Sequence, residues 1–189
     1  MHGTIWVMLS LVLHANEIRK PRHAVRASAR RILGSSLMTV RFEIDGSRNV
    51  AWPADSAVAG GERRDELWKQ TCLECFVRGS ENIHGKSYRE WNFSPSGDWA
   101  AYSFESYRAG MSKPNVVAPS IERIELIEKM RFEIDLELDE VSAIGAPLLA
   151  LSAVVVEKDE AAPFYWALTH VGAKPDFHLR ESFTLELES

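Results

Sequence analysis

Two stretches of strict alternation restrict this chain more than any other feature. They are Leu37–Asp45 (LMTVRFEID) and Met130–Asp139 (MRFEIDLELD). In the first, Met38, Val40, Phe42 and Ile44 fall on one side. In the second, Phe132, Ile134, Leu136 and Leu138 oppose Arg131, Glu133, Asp135 and Glu137. A strand sends successive side chains to opposite faces, whereas a helix would scatter the same residues around its circumference. Both stretches therefore read as strands with one apolar and one solvated face. Leu148–Val156 is almost wholly apolar and reads as a central strand covered on both sides. Phe164–His170 and Phe183–Glu188 read as the last two strands. Val25–Leu33 and Ile121–Glu128 fit either helix or strand: Arg and Ala favour helix in one, and Ile at every third position does so in the other. Counting them gives about ten or eleven short strands, at the spacing of a sandwich. Helical turns are expected near Glu62–Leu67 and Asp139–Ile144, and a flexible loop at Ala54–Gly61.

The densest local signal is Tyr88 to Gly110, YREWNFSPSGDWAAYSFESYRAG. Tyr88–Phe93 and Trp99–Phe104 read as strands joined by Ser94-Pro-Ser-Gly-Asp98, since proline presets one turn dihedral and glycine supplies a positive φ. Alternation puts Tyr88, Glu90 and Asn92 on one face, opposite Arg89, Trp91 and Phe93. A phenol, a carboxylate and an amide in a row suit hydrogen bonding to a polyhydroxylated ligand.

The charge balance is 22 Lys+Arg against 27 Asp+Glu, a net of −5, which gives no general attraction for nucleic acid or an anionic membrane. The basic run Arg19–Arg31 reads as a solvated edge strand whose cations discourage edge-to-edge association. Thr4–Leu13 is apolar but too short to span a bilayer, and it lacks a preceding Lys or Arg; strand is the reading taken over signal peptide. Cys72 and Cys75 are spaced C-x-x-C, but zinc needs further soft ligands and no second pair exists. In a strand, residues three apart point to opposite faces, so one thiol is expected in the core and the other outside it. Both are expected to be free, which suits a reducing, cytoplasmic compartment.

Several segments together carry a family resemblance. They are Leu67-Trp-Lys-Gln-Thr-Cys-Leu-Glu-Cys-Phe76, Glu90–Gly97 with Trp99 and Tyr102, Tyr107-Arg-Ala-Gly110, Tyr165–His170, and Lys174-Pro-Asp-Phe-His178. The chain resembles the DOMON-like domain proteins related to family 9 carbohydrate-binding modules, of the bacterial stand-alone type. The resemblance is densest over Trp68–Gly110 and Phe164–Phe183 and extends weakly over nearly the whole chain. It implies an all-β fold, an antiparallel β-sandwich of immunoglobulin-like or jelly-roll-like kind with few short helices, as one domain over 1–189. It also implies that Ser10–His14 is the first strand.

Relatives of that kind bind sugars or haem. The reading that follows is a non-catalytic module for a small polar ligand, a carbohydrate above others. The alternative is a structural or protein-interaction sandwich without a small-molecule ligand. Trp68 and Trp99 are candidate stacking faces, because indole packs on the C–H face of a pyranose. Glu74, Glu90 and Asn92 are candidate hydrogen-bonding partners, and Tyr102 with Lys174, Asp176 and His178 a candidate rim. Haem through Met111, His170 or His178 has no spacing to fix a ligand pair. Glycoside hydrolysis by Glu74 and Glu90 lacks any signal assigning acid and nucleophile. No metal ligand set or catalytic residue is named, and the cofactor is left open. The binding and structural readings differ in strand phase: a binding site needs Trp68, Glu74, Glu90, Asn92 and Tyr102 on an open face, not between the sheets.

Overall fold

The computed structural model describes residues 7–31, 35–79, 86–138 and 146–187. Its strands are β1 (Leu9–Ser10), β2 (Val12–Leu13), β3 (Ala24–Arg31), β4 (Leu37–Asp45), β5 (Cys72–Arg78), β6 (Tyr88–Phe93), β7 (Trp99–Phe104), β8 (Ser120–Leu126), β9 (Lys129–Glu137), β10 (Leu148–Val155), β11 (Phe164–Ala167) and β12 (Leu185–Glu186). They form two antiparallel sheets. One has the order β1-β3-β4-β9-β8; the other runs β2-β11-β10-β5-β6-β7, with β12 beside β10. Helical structure among the described residues is confined to 3₁₀ turns at Ser47–Asn49, Leu67–Lys69 and Arg180–Ser182. The fold is an all-β antiparallel sandwich.

The alternating strands pair directly with each other. Phe42 lies opposite Phe132 and Val40 opposite Ile134, so both apolar rows share one face of the first sheet. They pack against Leu73, Cys75 and Val77 of β5, Trp91 and Phe93 of β6, Trp99 and Ala101 of β7, and Leu149, Leu151, Ala153 and Val155 of β10. The outer face of the first sheet is an ionic ladder. Arg41 pairs with Glu133 at 2.7 Å, and Glu43 is held by Arg26, Lys129 and Arg131 at 3.1, 3.2 and 2.7 Å.

Both ambiguous segments are strands. Of Val25–Leu33, the described residues 25–31 lie in β3, residues 32 and 33 being outside the described ones; Ile121–Leu126 lies in β8, because cross-strand pairing with β4 and β9 overrides local helix propensity. The expected first strand is divided. Leu9–Ser10 pairs with β3 and Val12–Leu13 with β11, so the chain changes sheets at the buried Leu11. The basic run is not an edge strand: β3 lies between β1 and β4, and Arg19 and Arg22 precede it in a loop and pair with Glu17 and Glu157. Of the expected strand Phe183–Glu188, the described residues put Leu185–Glu186 in a strand, after a 3₁₀ turn at Arg180–Ser182; Glu188 lies outside the described residues. The turn expected near Glu62–Leu67 begins only at Leu67; Arg63 instead bridges Trp99 in parallel along the edge of β7. The expected turn at Asp139–Ile144 lies outside the described residues. Cys72 and Cys75 are both buried free thiols on opposite faces of β5, Cys75 between the sheets and Cys72 in a second cluster outside them.

Candidate binding cavity

The outer face of the second sheet is built differently from the ionic ladder. Its strands present Cys72, Glu74 and Phe76 (β5), Tyr88, Glu90 and Asn92 (β6), Ala100, Tyr102 and Phe104 (β7), and Ala150, Ser152 and Val154 (β10), with Tyr165 alongside from β11. Small residues on β10 and aromatics on β7 leave a hollow. Two loop segments wall it, one carrying Arg108 and Met111, the other Pro175–His178. The resulting half-open cavity has a volume of about 520 Å³, within the usual range for small-molecule sites.

Trp68 reaches the rim through a chain of local constraints. The hairpin turn closes with Ser94 N–H donating to the Asp98 carbonyl at 2.8 Å and Gly97 N–H to the Ser94 carbonyl at 3.0 Å. Segment 61–64 lies directly on this turn: a Cβ at Gly61, where φ is +77°, would sit 1.8 Å from the Gly97 carbonyl oxygen. Trp99 N–H then donates to the Glu62 carbonyl and Arg64 N–H to the Trp99 carbonyl. The 3₁₀ turn that follows turns the Trp68 indole toward the cavity. It stays 41% exposed, with its ring edge-on to Tyr102 at 6.0 Å. Tyr102 is fixed in turn by donating to Asp65 at 3.0 Å.

The opposite wall is pinned by Asp176. Its carboxylate accepts from Tyr107 Oη at 2.6 Å, Arg108 at 3.0 Å and the His178 backbone N–H at 3.1 Å. His178 packs edge-on to Phe76 at 5.1 Å and Phe104 at 5.2 Å, and its Nδ1 shares a 2.7 Å hydrogen bond with Tyr88 Oη. Burial, then the nearby Arg108 charge, pushes its pKa down to about 4, so the imidazole is neutral at physiological pH.

Glu74 and Glu90 lie at the floor. Glu74 sits opposite Asn92 and Glu90 opposite Phe76, so the carboxylates are diagonal neighbours on one face, within mutual reach. Ser152 Oγ donates to Glu74 Oε2 at 3.0 Å, and Asn92 Nδ2 to Glu90 Oε1 at 2.7 Å. The other Glu90 oxygen is 3.7 Å from His178 Nε2, beyond hydrogen-bond range. Burial, then the charge on Glu90, pushes Glu74 up to about 8. Burial raises Glu90 as well, opposed by Asn92 and by Arg108.

Of the residues singled out from sequence, Trp68, Glu74, Glu90, Tyr102, Asp176 and His178 line this one cavity. Three do not. Trp99 is 6% exposed and faces the other sheet, its ring 6.0 Å from Trp91, because it pairs across the hairpin with Phe93 and shares that residue's face. Asn92 is fully buried beneath the floor and acts by holding Glu90. Lys174 is exposed and outside the lining. The lining residues not anticipated include Phe76, Phe104, Arg108 and Tyr165. Phe76 and Phe104 are two residues beyond Glu74 and Tyr102, so alternation already implied them. Val154 had no such signal within an unbroken apolar strand.

No family model and no curated protein sequence matches the chain. Its fold is similar to that of solved structures. A proposed carbohydrate-binding protein from Bacteroides uniformis superposes with a TM-score of 0.64 at 13% identity, over 97% of this chain and 87% of the other. A family 9 carbohydrate-binding module from Caldicellulosiruptor kristjanssonii, in complex with cellotriose, superposes with a TM-score of 0.56 at 10% identity, over 97% and 82%. The likeness is one of fold.

Proposed function

We propose that this chain is a non-catalytic binding module for a small carbohydrate, of the DOMON-like group related to family 9 modules, and that the ligand occupies the cavity on the outer face of the second sheet. The observation that carries the reading is strand phase. Glu74, Glu90 and Tyr102 point away from the inter-sheet core into a half-open hollow, together with the exposed Trp68. A residue serving only the sandwich would point inward. Hydroxyl-rich ligands suit such a floor, because a carboxyl group accepts from or donates to hydroxyls as its protonation allows. The exposed indole of Trp68 supplies an apolar face for the C–H face of a sugar ring. Similarity to modules described as carbohydrate-binding supports the same ligand class.

The test is titration calorimetry with a panel of neutral gluco-, galacto-, manno- and xylo-configured mono- and oligosaccharides. At least one should bind, and Trp68→Ala should weaken it roughly tenfold to a hundredfold, the equivalent of about 1.4–2.7 kcal/mol. The sugar should be recovered intact after prolonged incubation. Recovery of hydrolysed sugar would make the two carboxylates catalytic, and silence across the panel would leave a structural or protein-interaction sandwich.

A further inference from the structure

Four glutamates in the described chain are almost fully buried: Glu43, Glu74, Glu90 and Glu157. Two of them have cationic partners. Glu43 is held by Arg26, Lys129 and Arg131. Glu157 accepts from the Arg22 backbone N–H, from Arg22 Nε at 2.9 Å and from His23 Nδ1 at 2.7 Å. Burial pushes both upward, but these partners outweigh it, and both carboxyls titrate below their ordinary value. Glu74 and Glu90 have no such partner. Among the described residues no lysine or arginine forms a salt bridge with either, and each takes one neutral hydrogen bond, from Ser152 or Asn92. Other charged or titratable groups face the same space. Arg108 is near enough for its charge to lower both carboxyls, but its salt bridge is to Asp176; His178 is neutral, and the Tyr88 and Tyr102 phenols and the Cys72 thiol carry no positive charge.

A buried carboxylate without a counter-ion must stay protonated or find a cation. A metal is a poor candidate: among the described residues no three His, Cys, Asp or Glu side chains converge. The walls are aromatic, with Trp68, Phe76, Tyr102, Phe104 and Tyr165 around the same space. Aromatic faces attract an organic ammonium, and the effect grows as water is excluded.

Building on the carbohydrate reading above, we infer that the cavity is made for a sugar bearing a protonated amine, with the ammonium seated between the Glu74 and Glu90 carboxylates under the aromatic wall. The ammonium supplies the counter-charge that Arg and Lys supply to the other two buried glutamates. Binding at neutral pH then drives a proton from the Glu74 carboxyl to the buffer as its carboxylate pairs with the ligand.

The test is calorimetry at pH 5, 6 and 7, in buffers of different ionisation enthalpy, on D-glucose, D-galactose and D-mannose, each against its 2-amino and 2-acetamido counterpart. For at least one trio the amino sugar should bind tenfold or more tighter than both others at pH 7. The preference should widen from pH 5 to pH 7, with net proton release. Glu90→Gln and Glu74→Gln should each pull the amino-to-neutral ratio toward one. Circular dichroism spectra of both variants should match the parent, and whichever variant folds supplies the readout. Equal binding of neutral and amino sugars overturns this inference and leaves the carbohydrate reading standing. So does an acetamido sugar that matches the amine, since it carries no charge. No binding by any of the nine overturns this inference, while the carbohydrate reading stands or falls on the wider panel above.

Discussion

Replacing Trp99 with alanine should destabilise the fold by about 3–5 kcal/mol, the usual cost of deleting a large aromatic from a packed core. Trp68→Ala should change stability by no more than about 0.5 kcal/mol, as expected of an exposed position. The two indoles look interchangeable in sequence, but they occupy opposite sides of the second sheet. Trp99 packs on Trp91 and carries Arg63 over its ring at 5.4 Å, whereas Trp68 overhangs the cavity with 41% of its surface exposed. Urea denaturation of both variants measures the difference. Comparable losses would mean that Trp68 is a core support, and the stacking role assigned to it would fall. A wild-type-like Trp99→Ala would contradict the phase of the whole hairpin.

Glu74→Gln should stabilise the ligand-free protein, increasingly so as pH rises. The folded-state pKa of Glu74 is pushed up to about 8 from an ordinary value of 4.5. Between those values the folded chain holds a proton that the unfolded chain has released, so stability falls with rising pH across that window. A glutamine of the same shape cannot ionise and escapes the penalty. The variant and its parent should be nearly equal at pH 4.5 and diverge by about 2–5 kcal/mol at pH 8, at about 1.4 kcal/mol per unit of displaced pKa. His178 works in the opposite sense. Its pKa is lowered to about 4, so its contribution rises with pH up to its ordinary value of 6.5. That slope is common to both proteins and cancels in their difference. Denaturant titrations at pH 4.5, 6, 7 and 8 give the comparison. A gap that does not change with pH would contradict the raised pKa of Glu74.

Much of the second sheet was legible before any coordinates, because its chemistry sits on short-range elements. Period-two alternation put Glu74 with Phe76 and Tyr88 with Glu90 and Asn92, and the cross-strand pairs bear out each face. The core position of Trp99 follows from the same logic. A five-residue turn between Phe93 and Trp99 makes these two residues direct partners, and partners share a face. Having set Phe93 opposite Glu90, the sequence already committed Trp99 to the core.

Other parts depend on register between distant strands, which no local pattern encodes. Ser152 meets Glu74 only because β10 pairs with β5 in the observed frame, and a one-residue slip would bring an apolar neighbour there instead. That no Lys or Arg among the described residues forms a salt bridge with Glu74 or Glu90 was equally hidden. Arg108 is near in sequence and available by charge, but its salt bridge is to Asp176, which Tyr107 also holds on the wall. The sheet switch at Leu11 was hidden too. Its two short strands look like one apolar run, and only the packing of two separate sheets divides them.

The central claim is that sugar binds on the outer face of the second sheet, beneath Trp68. Nuclear magnetic resonance of the six tryptophan indole N–H groups tests it most directly, with the tightest-binding sugar of the panels added to saturation. The Trp68 signal should move with the binding curve, together with backbone amides around Tyr102, Arg108 and His178. The indoles of Trp91 and Trp99, shielded between the sheets, should shift far less. A bound sugar that leaves Trp68 and the 176–178 loop unmoved while shifting residues of the ionic ladder, such as Arg41 and Glu133, would contradict the account.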